Sequence, residues 1–127
     1  MEFREAVESA FTNKLIYTGR SSRSEYWYYV LFETLVTFGF SVVFGIIEST
    51  SPSLKTMVSL LIFCLYIVLK VIALSLTIRR LHDTNRSGWW FLLAFIPFVD
   101  IAVFIFMLLP SDLNDNNYGA PPLLESR

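Results

Sequence analysis

The sequence predicts an all-α membrane protein: a three-transmembrane-helix bundle (26–47, 57–78 and 89–109) with a short N-terminal amphipathic helix at 2–12. Three observations carry this. Apolar runs of roughly 20 residues, the length needed to cross ~30 Å of hydrocarbon, recur three times between short polar stretches. Of the 127 residues 54% are apolar or aromatic, and mean hydropathy is +0.54, well away from the balance of a soluble domain. The Lys, Arg, Tyr and Trp residues collect at the ends of those runs instead of spreading over a face. Residues 1–110 therefore read as one membrane domain and 111–127 as a polar C-terminal tail.

The formal charge of -1 predicts no nucleic-acid partner. One cysteine, Cys64, lies inside an apolar run and has no second cysteine to pair with, and one His with one Cys cannot assemble a usual zinc site, so neither metal nor cofactor is expected. Glu2, Arg4, Glu5 and Glu8 interrupt the first residues, so insertion is expected to use an uncleaved segment.

Taken in order, Phe3, Ala6, Val7, Ala10 and Phe11 follow helical spacing and leave the acidic residues on the opposite face. That face suits packing over the bundle's end better than attraction to anionic lipid. Ser22 and Glu25 have the S-x-x-E spacing of a capping box, which starts a helix at Arg23. Tyr26 to Tyr29 then set aromatic rings at the membrane boundary before the first apolar run. Pro52, in a polar stretch, marks the turn to the second run, which ends at Arg79 and Arg80. Trp89, Trp90 and Phe91 open the third run, with Pro97 as its kink. The tail, carrying Asn114, Asn116, Asn117, Gly119, Pro121 and Pro122, reads as loop or disorder.

Counting Lys and Arg near the spans puts Arg4, Lys14, Arg20, Arg23, Arg79, Arg80 and Arg86 on one side, against Lys55 and Arg127. The positive-inside bias makes the first side cytoplasmic, with the N-terminus and the loop 79–88 inside and the C-terminal tail outside.

Three groups of residues are candidate sites. Arg79 and Arg80 fall at a helix C-terminus and Arg86 just before the next helix, with Arg20, Arg23 and His82 on the same side. Guanidiniums converging on exposed helix-start amides suit an anion such as a lipid phosphate. His82 beside Asp83 suggests a general base, but adjacent helical residues do not face each other, and Asp83 is spaced to pair with Arg79 or Arg80. Within the spans, Glu33, Lys70 and Asp100 lie ~9, ~12 and ~16 Å from the cytoplasmic ends at ~1.5 Å per residue. A lone mid-membrane charge costs at least ~2.5 kcal/mol, so Lys70 is expected to pair with Glu33, with Asp100 the second candidate.

The stretches Gly19-Arg20-x-x-Arg23-x-x-Tyr26-Trp27, Arg79-Arg80-Leu81-His82-Asp83-Thr84-x-Arg86-Ser87-Gly88-Trp89-Trp90 and Asn117-Tyr118-Gly119 resemble the DUF805 family of small bacterial inner-membrane proteins. The resemblance implies a three-helix protein of the bacterial inner membrane with no established biochemical activity. The function expected from the residues is interaction without turnover. No residue is assigned as catalytic, and the Arg-rich loop binds anionic lipid or a protein partner in a chain whose exposed faces favour homo-oligomers. The alternatives are a small transporter or ion-coupled subunit using Lys70, Glu33 and Asp100, and an enzyme acting on lipid headgroups through His82 and Asp83.

Overall fold

The computed structural model describes residues 1–122; the last tail residues, 123–127, lie outside the described residues. Its helical elements are α1 (Phe3–Thr12), α2 (Arg23–Ile47), α3 (Pro52–Asp83), a 3₁₀ segment (Gly88–Phe95) and α4 (Asp100–Leu108). Among the described residues the fold is all-α.

Helix α1 opens on a capping box in which the Glu2 backbone amide donates to the Glu5 carboxylate at 3.0 Å. Its apolar stripe buries Ala6 and Ala10, and Ala10 packs with Tyr29 of α2 and Ile72 and Leu76 of α3. The helix thus covers the end of its own bundle. The linker behind it is tied down by Ser75 Oγ, which donates to the Ile16 carbonyl at 2.6 Å.

Ser22 accepts the Glu25 amide at 3.1 Å and starts α2 at Arg23, as its spacing predicts. Helix α3 exceeds its expected bounds at both ends. Pro52 stands in the first turn, where a missing N–H costs nothing, and the helix continues through the twin arginines to Asp83. Both helices are long and apolar enough to cross a membrane, and in their most apolar 18-residue windows 0% of α2 and 11% of α3 is buried. A core helix of a soluble protein would be covered; these faces are built for lipid.

The third expected span, 89–109, is not a continuous membrane-crossing helix: among the described residues there are two candidate membrane-crossing helices, not three. Pro97 lacks an N–H and disfavours helical geometry at the residue before it, and Ile96 is accordingly extended, with φ -100° and ψ 116°. Phe98 follows in the left-handed region at φ 70°, so the chain reverses where a kink was expected. Trp90, near the start of the 3₁₀ segment, meets Phe106, near the end of α4, edge to face at 5.6 Å. The two limbs form an antiparallel hairpin. At ~2.0 Å per residue for 3₁₀ and ~1.5 Å for α, each limb reaches only about 14 to 16 Å, half the hydrocarbon thickness.

Gly88 seats this hairpin on α3, because a Cβ there would lie 2.8 Å from Ile78 Cγ2 and 3.5 Å from His82 Nε2. Ile78 is branched at Cβ, so its Cγ2 methyl cannot swing aside without the side chain leaving its rotamer. Gly88→Ala is expected to cost about 1 to 3 kcal/mol through overpacking, read as a lower thermal midpoint in detergent.

The tail is also ordered over its described part. Asn116 and Gly119 form an isolated antiparallel bridge, and Asp112 N donates to the Asp83 carbonyl at 3.4 Å. Residues 111–119 therefore lie at the same end of the bundle as the loop 79–88. The expectation that tail and loop occupy opposite sides depended on a third crossing helix, which the described residues do not form.

Candidate functional site

The C-terminal turn of α3 is the hub of this end. Asp83 is fully buried, and its Oδ1 accepts Arg20 Nε at 2.9 Å while its Oδ2 accepts Arg80 Nη1. Arg80 is itself 0% exposed and donates to the carbonyl of Leu109, just past the C-terminus of α4, where a cation is favoured by the helix dipole. Arg20 reaches in the other direction, donating to the carbonyls of Asp112, Asn114 and Gly119. One carboxylate thus aligns two guanidiniums, which fasten the hairpin and the tail to the bundle.

A second buried carboxylate works beside it. Glu25 accepts from Ser9 Oγ at 2.8 Å, from Ser21 Oγ at 2.6 Å and from Arg79 Nη2 at 3.4 Å. It therefore joins α1, the linker, α2 and α3. His82 takes no part in an acid–base pair with Asp83. Its Nδ1 lies 3.1 Å from the Gly19 carbonyl, and its ring stacks on Tyr118 at 3.9 Å and 3° between planes. Asn116 Nδ2 donates to the His82 carbonyl at 3.0 Å, and Asn117 N to Asn85 Oδ1 at 3.3 Å.

The expected anion site is thereby divided. Arg20, Arg79 and Arg80 come together, but each is buried against Asp83 or Glu25. Arg23 is exposed on the first turn of α2. Arg86 stands apart, its guanidinium 4.0 Å above the Phe106 ring and Nη1 donating to the Thr84 carbonyl at 2.9 Å. Arg86, Thr84, Ser111, Asp112 and Asn114 line an open hollow of about 470 Å³ at the bundle's end.

Of the intramembrane charges, Lys70 Nζ lies 2.6 Å from Glu33 Oε1, as expected. Asp100 is not with them. It is exposed at the first position of α4, where its Oδ1 accepts the Ile101 amide at 3.0 Å. No group of three metal-binding side chains occurs among the described residues.

The sequence reading missed Glu25 as a hub, because its spacing from Ser22 already explained it as a cap. It also missed Tyr118 and Asn116, since a polar tail gives no hydrophobic period to place it. One signal was available: Asn117-Tyr118-Gly119 stood beside the Gly19-Arg20 and Arg79–Trp90 stretches in the family resemblance, and these three converge here.

A family model described as "Protein of unknown function (DUF805)" matches residues 15–120. Inner membrane protein YhaI of Escherichia coli (strain K12) is 36% identical over 115 residues, which cover 90% of this chain and 92% of that protein. Inner membrane protein YhaH of the same organism is 30% identical over 122 residues, covering 89% of this chain and 92% of its own. No solved structure matches.

Proposed function

We propose a role for this chain from the premise that it belongs to the DUF805 family of proteins of unknown function: it is a helical inner-membrane protein that binds the phosphate of a phospholipid headgroup at Arg86. It acts by interaction and not by turnover. The observation that carries this reading is the contrast between Arg86 and its neighbours. Arg20, Arg79 and Arg80 already hold carboxylates, whereas Arg86 has no carboxylate partner among the described residues and borders a hollow of mixed polar and apolar lining. A guanidinium with open donors suits phosphate, and the adjacent Trp89, 79% exposed, suits the headgroup boundary. Asp112, across the hollow, suits a headgroup hydroxyl or ammonium.

With the tail on the same face as the loop 79–88, the positive-inside tally becomes seven residues against Lys55, with Arg127 outside the described residues. We therefore read the N-terminus, the loop and the tail as cytoplasmic. His82, stacked and hydrogen-bonded on a carbonyl, is read as packing and not as a general base.

Native mass spectrometry of the detergent-extracted protein tests the reading. Arg86→Gln is expected to lower phospholipid retention about 10-fold or more, the worth of one charge-assisted hydrogen bond, while Lys70→Met leaves retention unchanged. Equal retention in Arg86→Gln and wild type would refute it.

A further inference from the structure

A second cavity, about 570 Å³, lies between α2, α3 and the 3₁₀ segment, away from the Arg86 hollow. Its volume falls in the range of small-molecule sites. Tyr26, Tyr29, Glu33, Lys70, Phe91 and Phe95 are among its walls, so it has one ion pair set in an aromatic and aliphatic lining. The pair is unequal: the Lys70 side chain is 48% exposed and that of Glu33 only 12%. The ammonium spends one donor on Glu33 and a second on the Tyr66 side chain, whose ring centre is 5.1 Å away, which leaves one of its three for a further oxygen.

We propose that this cavity binds a long-chain carboxylic acid, its head at Lys70 and its tail along Phe91 and Phe95. The class follows from charge. The pair lies within the span of α2 and α3, where adding a net charge is expensive, so a ligand has to arrive neutral. A carboxylic acid does so in its protonated form, which an apolar surrounding favours; an alkyl sulfate stays ionised. Once inside, the ligand O–H breaks and its proton passes to Glu33, forming the O–H of a neutral side chain. The ligand carboxylate then replaces that of Glu33 at Lys70. The cavity holds one ammonium and one carboxylate before and after, so no net charge is added. Tyr26, Tyr29 and Tyr66 are the other titratable groups facing the pair, and as phenols they contribute no charge to this exchange.

The site is independent of Arg86, so the two readings fail separately. The full chain is purified in dodecyl maltoside and titrated with radiolabelled palmitic acid, with methyl palmitate and hexadecyl sulfate as competitors. Saturable binding of the acid is expected, with neither competitor displacing it. Lys70→Met should weaken binding by about 10-fold or more, as loss of a charged hydrogen-bond partner does. Val30→Trp fills the cavity while keeping both charges, and it should abolish binding if Lys70→Met proves too unstable to purify. Glu33→Gln leaves Lys70 without a counter-ion, so in that variant hexadecyl sulfate should begin to compete. Absence of binding to the wild-type chain, wild-type affinity in Val30→Trp or in folded Lys70→Met, or displacement by methyl palmitate overturns the proposal.

Discussion

Asp83→Asn is expected to unfold the assembly at this end of the bundle, because it removes the carboxylate that two buried guanidiniums share. The substitution is nearly isosteric, so packing survives and the electrostatics do not. Arg20 and Arg80 are 1% and 0% exposed at their side chains, and the amide that replaces the carboxylate turns one of its two ends into a donor facing them. Removing one partner of a buried ion pair costs about 3 to 5 kcal/mol, and here two pairs share the lost partner. Against a total stability of about 5 to 15 kcal/mol, that is enough to leave much of the chain unfolded. The thermal midpoint in detergent should fall by about 10 °C or more. Arg4→Gln provides the contrast: its pair with Glu8 is exposed on both sides, 85% and 63%, and its loss should not move the midpoint measurably. Combining Asp83→Asn with Arg20→Gln should recover part of the loss, since the second change removes a charge that the first stranded. A midpoint for Asp83→Asn within about 2 °C of wild type would mean that the carboxylate does not hold this end together.

That dependence explains how much of the molecule the sequence made legible. Helix periodicity and capping are local, so α1, the start of α2 at Arg23 and the end of α2 at Ile47 were all readable from neighbouring residues. The Glu33 and Lys70 pair was readable too, because depth along two helices and the cost of an isolated charge leave few partners. The hairpin was not. Its apolar content equals that of a span, and hydropathy does not register that Pro97 followed by a left-handed Phe98 turns the chain back. The divided fate of the arginines was equally hidden. Arg80 and Arg86 look alike in sequence, but one finds Asp83 and the Leu109 carbonyl and the other an aromatic ring. Spacing already offered Asp83 to Arg80; the return of α4 and the tail, which sets Phe106 under Arg86 and the Leu109 carbonyl against Arg80, was out of its reach.

The same return predicts an all-or-none topology result. In a Cys64→Ser background, single cysteines at Ser53 and Asp115, both exposed, should react from opposite sides of the membrane. With a membrane-impermeant maleimide on intact cells stripped of their outer membrane, Ser53→Cys should label and Asp115→Cys should not; after lysis both should label. A third crossing would expose both from outside. The energetic case against that crossing comes from what it would break. Straightening 88–109 into one helix would carry the carbonyls of Leu109, Asp112, Asn114 and Gly119 away from Arg80 and Arg20, leaving buried guanidiniums without those acceptors. The bend itself demands little of the lipid. Val99 N donates to the Ile96 carbonyl at 3.1 Å, Asp100 N to the same carbonyl at 3.1 Å and Ala102 N to Val99 at 2.9 Å, while Pro97 has no N–H to satisfy. The amides of Ile96, Val99, Asp100 and Ala102 are therefore paired around the turn, and the exposed Phe95, Ile96 and Phe98 side chains present an apolar tip to hydrocarbon. Extracellular labelling of Asp115→Cys would contradict this geometry, and with it the assignment of the tail, the loop and the Arg86 hollow to one face.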